Sequence, residues 1–135
     1  MSLSTQDALV YLMVIAATSD AAVSDRELRA IEALVGRSPV FDGFDRSRLG
    51  EVAAEAIDLL KDSSDLDRVL GMILGAIPAR LHDTAYALAV EIATVDIRLV
   101  QEELRLLEMI RDKLALDGLI SAAIEASARA RLRHA

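Results

Sequence analysis

The longest unbroken apolar stretch of the chain, ALVYLMVIAA from Ala8 to Ala17, has no polar face. A helix with that pattern is covered on every side, so residues 5–19 are expected to form a central helix surrounded by others. A second helix is expected after Ser24, running to about Val35 and closed by Gly36 as a C-terminal cap. RSPVFDGFD, Arg37 to Asp45, reads as a loop, with Pro39, the turn pair Asp42–Gly43, and two phenylalanines to pin it to the core. From about 46 to 61 the stripe Leu49, Val52, Ala53, Ala56, Ile57 and Leu60 predicts an amphipathic helix.

Ser63 and Ser64 are candidate caps for a fourth helix, whose inward stripe is Leu66, Val69, Leu70, Ile73, Leu74 and Ile77. Pro78 breaks the chain and opens a fifth helix, about 79–95. A sixth is expected over about 101–114, with Leu104, Leu107, Ile110 and Leu114 inward, and Asp117 caps a seventh, Ala-rich helix ending in arginines. No segment alternates with period two long enough to be a strand. The pattern therefore predicts an all-α chain, a single compact domain over 1–135 with about seven helices and short connections. Leu12, Met13, Leu88 and Val90 are its expected core.

The second and sixth helices are related. ATSDAAVSDRELRAIEAL, from Ala17 to Leu34, agrees with ATVDIRLVQEELRLLEMI, from Ala93 to Ile110, at seven of eighteen places. Leu12 and Val14 match Leu88 and Val90, which extends the likeness back through the apolar helix. The expectation is an internal helix-pair repeat, with units of about 6–36 and 82–115, that pairs helices one and two with five and six.

Composition narrows the chemistry. Hydrophobic residues make up 53% and aromatics only 3%, so the core rests on Leu, Ile, Val, Ala and Met, which suits close-packed helices. With no cysteine, disulfides, thiolate metal sites and cysteine nucleophiles are excluded. A net charge of −7 argues against nucleic acid, whose binding needs a basic face. The ten-residue apolar run is too short to span a bilayer, and MSLSTQD lacks the basic start of a signal peptide, so a cytoplasmic location is expected.

The repeat keeps two acids in register, Asp20 with Asp96 and Glu27 with Glu103. Capping alone would explain Glu27, since Ser24-Asp-Arg-Glu27 has the form of a capping box. In the second copy the corresponding cap position is Val100, which has no side-chain acceptor, yet Glu103 remains. Asp20 and Asp96 each follow the end of an apolar helix, where the helix dipole disfavours negative charge. An Asp in the turn after one helix and a Glu in the first turn of the next could converge in an antiparallel hairpin. Four such carboxylates would repel unless protonated, paired with bases or bridged by a cation. All-oxygen donors suit calcium, magnesium or manganese better than zinc. The spacing is not that of an EF-hand.

LMVIAATSDAAVSDRELRAIEAL, echoed by LAVEIATVDIRLVQEELRLLEMI, resembles the tellurite-resistance TerB-like family. Members of that family carry an apolar helix and then Ala-x-x-Asp-Gly-x-Val-x-x-x-Glu, twice. The resemblance covers about residues 6–120 and implies an all-helical, non-enzymatic cytoplasmic domain linked to metal binding and stress response, with protein partners. Carried over, the metal-binding acids would be Asp20, Glu27, Asp96 and Glu103, with a divalent cation as ligand. The family's glycine after the Asp is Ala21 in the first copy and Ile97 in the second. The alternative is a protein–protein interaction domain without a metal site, the acids being structural or facing a basic partner. A homodimer fits either reading.

Other chemistry-bearing residues have local explanations. Glu91 interrupts the apolar course of helix five and is expected to reach solvent or an Arg at the helix edge. His82 and His134 have no second His or Cys at ligand spacing and are expected on the surface. Arg129, Arg131 and Arg133 are expected to complement a helix C-terminus. There is neither a Gly-x-Ser-x-Gly elbow nor a phosphate-cradling glycine loop.

Overall fold

Helix α1, Thr5–Ala17, starts where the Ser4 hydroxyl accepts the Asp7 amide at 3.1 Å, and everything from Ala8 to Ala17 is buried. Such a helix needs neighbours all round, and it has them: α3 (Leu49–Asp62), α5 (His82–Ala93) and α4 (Leu66–Gly75) pack against it. In this computed structural model the described residues are 3–17, 23–62, 65–95 and 101–135, with backbone alone for 101–103. They form seven α-helices and no strand, in one compact arrangement.

A second central helix, α5, packs against α1 on one side and on another against α7, Gly118–Arg131. Helix α2, Asp25–Arg37, touches both α1 and α5, while α6, Gln101–Leu114, touches α5, α4 and α1. Leu12 and Met13 from α1 are fully covered, and Leu88 and Val90 from α5 nearly so, as their apolar surroundings in the sequence predict. Burying a side chain of this size contributes about 1.5–3 kcal/mol, and both central helices bury several of them.

The loop after α2 is short-range helical rather than irregular. Single 3₁₀ turns at Pro39–Phe41 and Arg46–Arg48 flank a turn in which Gly43 takes φ +82°, the left-handed region that glycine enters without cost. Phe41 and Phe44 are both buried, edge to face with centroids 5.8 Å apart, and they pin the loop as expected. Gln6 holds it from α1, its side-chain amide donating to the carbonyls of Val40 at 3.2 Å and Asp42 at 3.0 Å.

Several boundaries differ from the sequence pattern. Helix α2 does not end at Gly36 but continues to Arg37, with the Ser38 amide bonded to the Leu34 carbonyl. Gly36 is instead a point of close approach: a Cβ there would lie 3.0 Å from an Arg46 guanidinium nitrogen. The cap of α4 is Asp65, whose carboxylate accepts the Arg68 amide at 3.2 Å; Ser63 and Ser64 lie outside the described residues. After Pro78 comes a 3₁₀ turn, Ala79–Leu81, before α5 proper.

Leu66, at the first position of α4, is 37% exposed rather than inward. The largest departure is Leu104, expected inward and 43% exposed. The buried arc of α6 is made by Leu106, Leu107, Ile110 and Leu114, where it meets α4 and α5, and among the described residues no element closes over Leu104.

Candidate functional site

The acidic motif is described at one of its four positions. Ser24 caps α2 in an extended conformation, its hydroxyl accepting the Glu27 amide at 3.1 Å while the Ser24 amide donates to Glu27 Oε1 at 3.1 Å. Both halves of the capping box are thus closed, and they account for Glu27 without any cation. Asp20 and Asp96 lie outside the described residues, as does the side chain of Glu103, whose backbone belongs to the first turn of α6. Among the described residues no group of three or more His, Asp or Glu side chains is placed to hold a metal ion.

Glu91 resolves into a structural tie. On the edge of α5, with its side chain 16% exposed, it takes Arg131 Nη1 at 2.8 Å on Oε1 and 2.7 Å on Oε2, and Arg37 Nη2 at 3.4 Å. One carboxylate therefore joins the end of α2, the middle of the molecule and the end of α7. Arg131 stands in the last turn of α7, as expected, and its guanidinium also reaches across to α5. His82 is also less peripheral than its spacing predicts. It is half-buried, with Nδ1 3.3 Å from the Leu114 carbonyl and Nε2 3.1 Å from the Ile77 carbonyl. The ring nitrogen that carries the proton ties the start of α5 to the end of α6 or to the turn after α4. His134 is exposed, as expected.

Two tyrosine–glutamate pairs escaped the sequence reading. The Tyr11 hydroxyl donates to Glu55 Oε2 at 2.9 Å, joining α1 to α3, and the Tyr86 hydroxyl donates to Glu125 Oε2 at 2.6 Å, joining α5 to α7. Burial, helped by the neighbouring Glu55 carboxylate, pushes the Tyr11 phenol up from 10.0 to about 12. Burial and Glu125 push Tyr86 up further. Both phenols remain protonated donors through the neutral range, so they act as ties and not as bases.

Comparison with protein-family models, with curated proteins and with solved structures returns no match.

Beside the Tyr86–Glu125 pair lies a cleft of about 350 Å³ between α5, α6 and α7. Its walls follow helical spacing: Tyr86, Val90 and Thr94 on α5, Leu104, Leu107, Glu108 and Arg111 on α6, Glu125 and Arg129 on α7. The i, i+4 spacing of Glu125 and Arg129 was the only sequence signal available, and it is equally that of a solvated face.

Proposed function

We infer that the chain is a TerB-like helical module that acts by binding rather than catalysis, in a metal-stress response of the tellurite-resistance type. Its ligand is a divalent cation of the calcium, magnesium or manganese class or a protein partner, which includes a second copy of the chain. What supports this most is the correspondence of packing between the two halves of the chain. The main outer neighbour of α1 is α3, and that of α5 is α7; α2 lies on α1 and reaches α5, while α6 lies on α5 and reaches α1. Exchanging α1, α2 and α3 for α5, α6 and α7 leaves this set of contacts unchanged, which supports a repeat of units 6–36 and 82–115. Each central helix also sends a tyrosine hydroxyl to a glutamate of its outer helix.

In the first copy the cation would be held by Asp20 and Glu27, in the second by Asp96 and Glu103. The capping box engages Oε1 of Glu27, and Oε2 has no protein partner among the described residues, which leaves a single oxygen suited to a hard cation. The bound ion would neutralise the clustered carboxylates and hold the turn between the apolar helix and the next.

The closed capping box favours a second reading, in which the acids are structural and the module binds a protein without metal. Melting of chelator-treated protein with millimolar calcium, magnesium or manganese separates the two. The cation reading expects a rise in melting temperature, because a ligand selective for the native state stabilises it. Glu27→Gln, which keeps the capping box, should shrink that rise without lowering the cation-free melting temperature. Glu103→Gln is the parallel test in the copy with no cap serine. Wild-type melting indifferent to all three ions removes the cation and leaves the protein-binding module.

A further inference from the structure

The cleft between α5, α6 and α7 is a consequence of packing. Helices α6 and α7 each lie on α5, but among the described residues they make few contacts with each other, so α5 forms a floor between two walls. That floor presents carbon. Its polar groups are already engaged, the Tyr86 hydroxyl with Glu125 at 2.6 Å and the Thr94 hydroxyl with the Val90 carbonyl at 2.7 Å. Leu107 and Val90 line it, and Leu104 leaves much of its side chain to water on the α6 wall.

The charges on the walls are unevenly committed. Glu125 is held by Tyr86. Arg111 has its nearest carboxylates at 3.7 Å, on the adjacent Asp112, and at 3.9 Å, on Glu125, both beyond hydrogen-bond distance. Arg129 has no carboxylate within ion-pairing distance among the described residues, whereas Arg131, two positions on, holds Glu91 at 2.7 Å. In a chain with 22 acidic against 15 basic residues, this cleft sets two arginines against two glutamates, and of these Glu125 is engaged by Tyr86 while both arginines are loosely held. Glu108 stands exposed on the same α6 wall and disfavours a doubly charged anion.

We propose that this cleft binds a medium-length aliphatic carboxylate, its chain on Val90, Leu104 and Leu107 and its carboxylate between Arg111 and Arg129. The planar guanidinium fork matches a carboxylate, and a single negative charge tolerates Glu108 where a phosphate would not. A cleft of about 350 Å³ has room for an aliphatic chain of medium length. This binding requires neither the cation nor the family reading.

The test is titration of octanoate, below its self-association range, into the full chain by calorimetry and NMR, with octan-1-ol, octylammonium, butyrate and inorganic phosphate as comparators. Saturable one-to-one binding of octanoate is expected, about ten-fold or more tighter than any comparator, with shifts centred on the methyl groups of Val90, Leu104 and Leu107. Arg129→Gln should weaken it about ten-fold, as expected for loss of a charge-assisted hydrogen bond. Glu108→Gln should tighten it. Both residues are exposed, so an unchanged melting temperature checks the fold of each variant. Equal affinity for octanoate, octanol and octylammonium would overturn the proposal by showing unspecific apolar adsorption. So would octanoate binding indifferent to Arg129→Gln, shifts centred elsewhere, or phosphate or butyrate binding as tightly as octanoate.

Discussion

Helices α1 and α5 hold the same place in the molecule and differ in how completely they are covered. Ten consecutive residues of α1 are buried, and the neighbouring α2, α3 and α4 leave no polar group on that stretch except the Tyr11 hydroxyl. Along α5, by contrast, polar residues interrupt the apolar course at His82, Tyr86 and Glu91, and each is met by a partner from another element. Within its buried stretch the α1 half is closed by shape, with the Tyr11–Glu55 bond as its one directed tie there, and its other polar contacts sit at the exposed start of the helix, on Gln6 and Asp7. The α5 half is held partly by directed bonds and leaves a cleft where two of its neighbours stay apart. A fully apolar helix can only be covered, whereas an interrupted one can carry chemistry at its edges.

Deleting core volume should expose this difference most strongly. Leu12→Ala should destabilise by about 4–5 kcal/mol, because Leu12 is fully enclosed, and Leu88→Ala by about 2–3 kcal/mol, because Leu88 lines a surface groove with Val40, Leu81 and Thr84. Equal shifts in denaturant midpoint would erase the distinction between the two helices. Next in size is Glu91→Ala, expected to cost about 1–2 kcal/mol, between the values for exposed and buried ion pairs. Arg131→Ala should reproduce most of that loss and Arg37→Ala little of it, since the Arg131 contacts are 2.7–2.8 Å and the Arg37 contact 3.4 Å. A double-mutant cycle would measure the coupling directly.

The two phenols sharpen the comparison at alkaline pH. A raised phenol pKa means that the folded chain keeps a proton which the unfolded chain has lost. Its contribution is therefore full below about pH 10 and is lost as pH rises towards the folded value, about 12 for Tyr11. Tyr11→Phe and Tyr86→Phe should each flatten the fall in melting temperature above pH 10, Tyr86→Phe more so. Ultraviolet titration of the single variants assigns each phenol. The smallest effect belongs to Gly36→Ala, expected to stabilise by about 0.5 kcal/mol. An exposed helix-interior glycine gains from a side chain, and the flexible Arg46 guanidinium can yield the few tenths of an ångström required. A loss instead would mean that Arg46 is fixed across α2.

Much of the fold was legible. The order of seven helices, the central position of α1, the phenylalanine-pinned loop and the Asp117 cap follow from periodicity and capping chemistry, which are local properties of the chain. Gly36 was misread because a glycine near a helix end has two uses, termination and close approach, and only the position of Arg46 selects between them. The candidate acids were legible as a pattern, but of the four only Glu27 is placed, in the capping box that its spacing from Ser24 predicts.

What the amino-acid sequence determined by itself was therefore the set and order of the helices and the central place of α1, since these depend on neighbours within a few residues. The tertiary structure alone decided that Leu104 is open to solvent, that Arg131 crosses to Glu91, that His82 spans two carbonyls, and that Tyr86, Arg111, Glu125 and Arg129 border one cleft. Each of these depends on the separation between helices far apart in the chain. Helical spacing states which side chains share a face, but it carries no information on whether another helix arrives to cover that face.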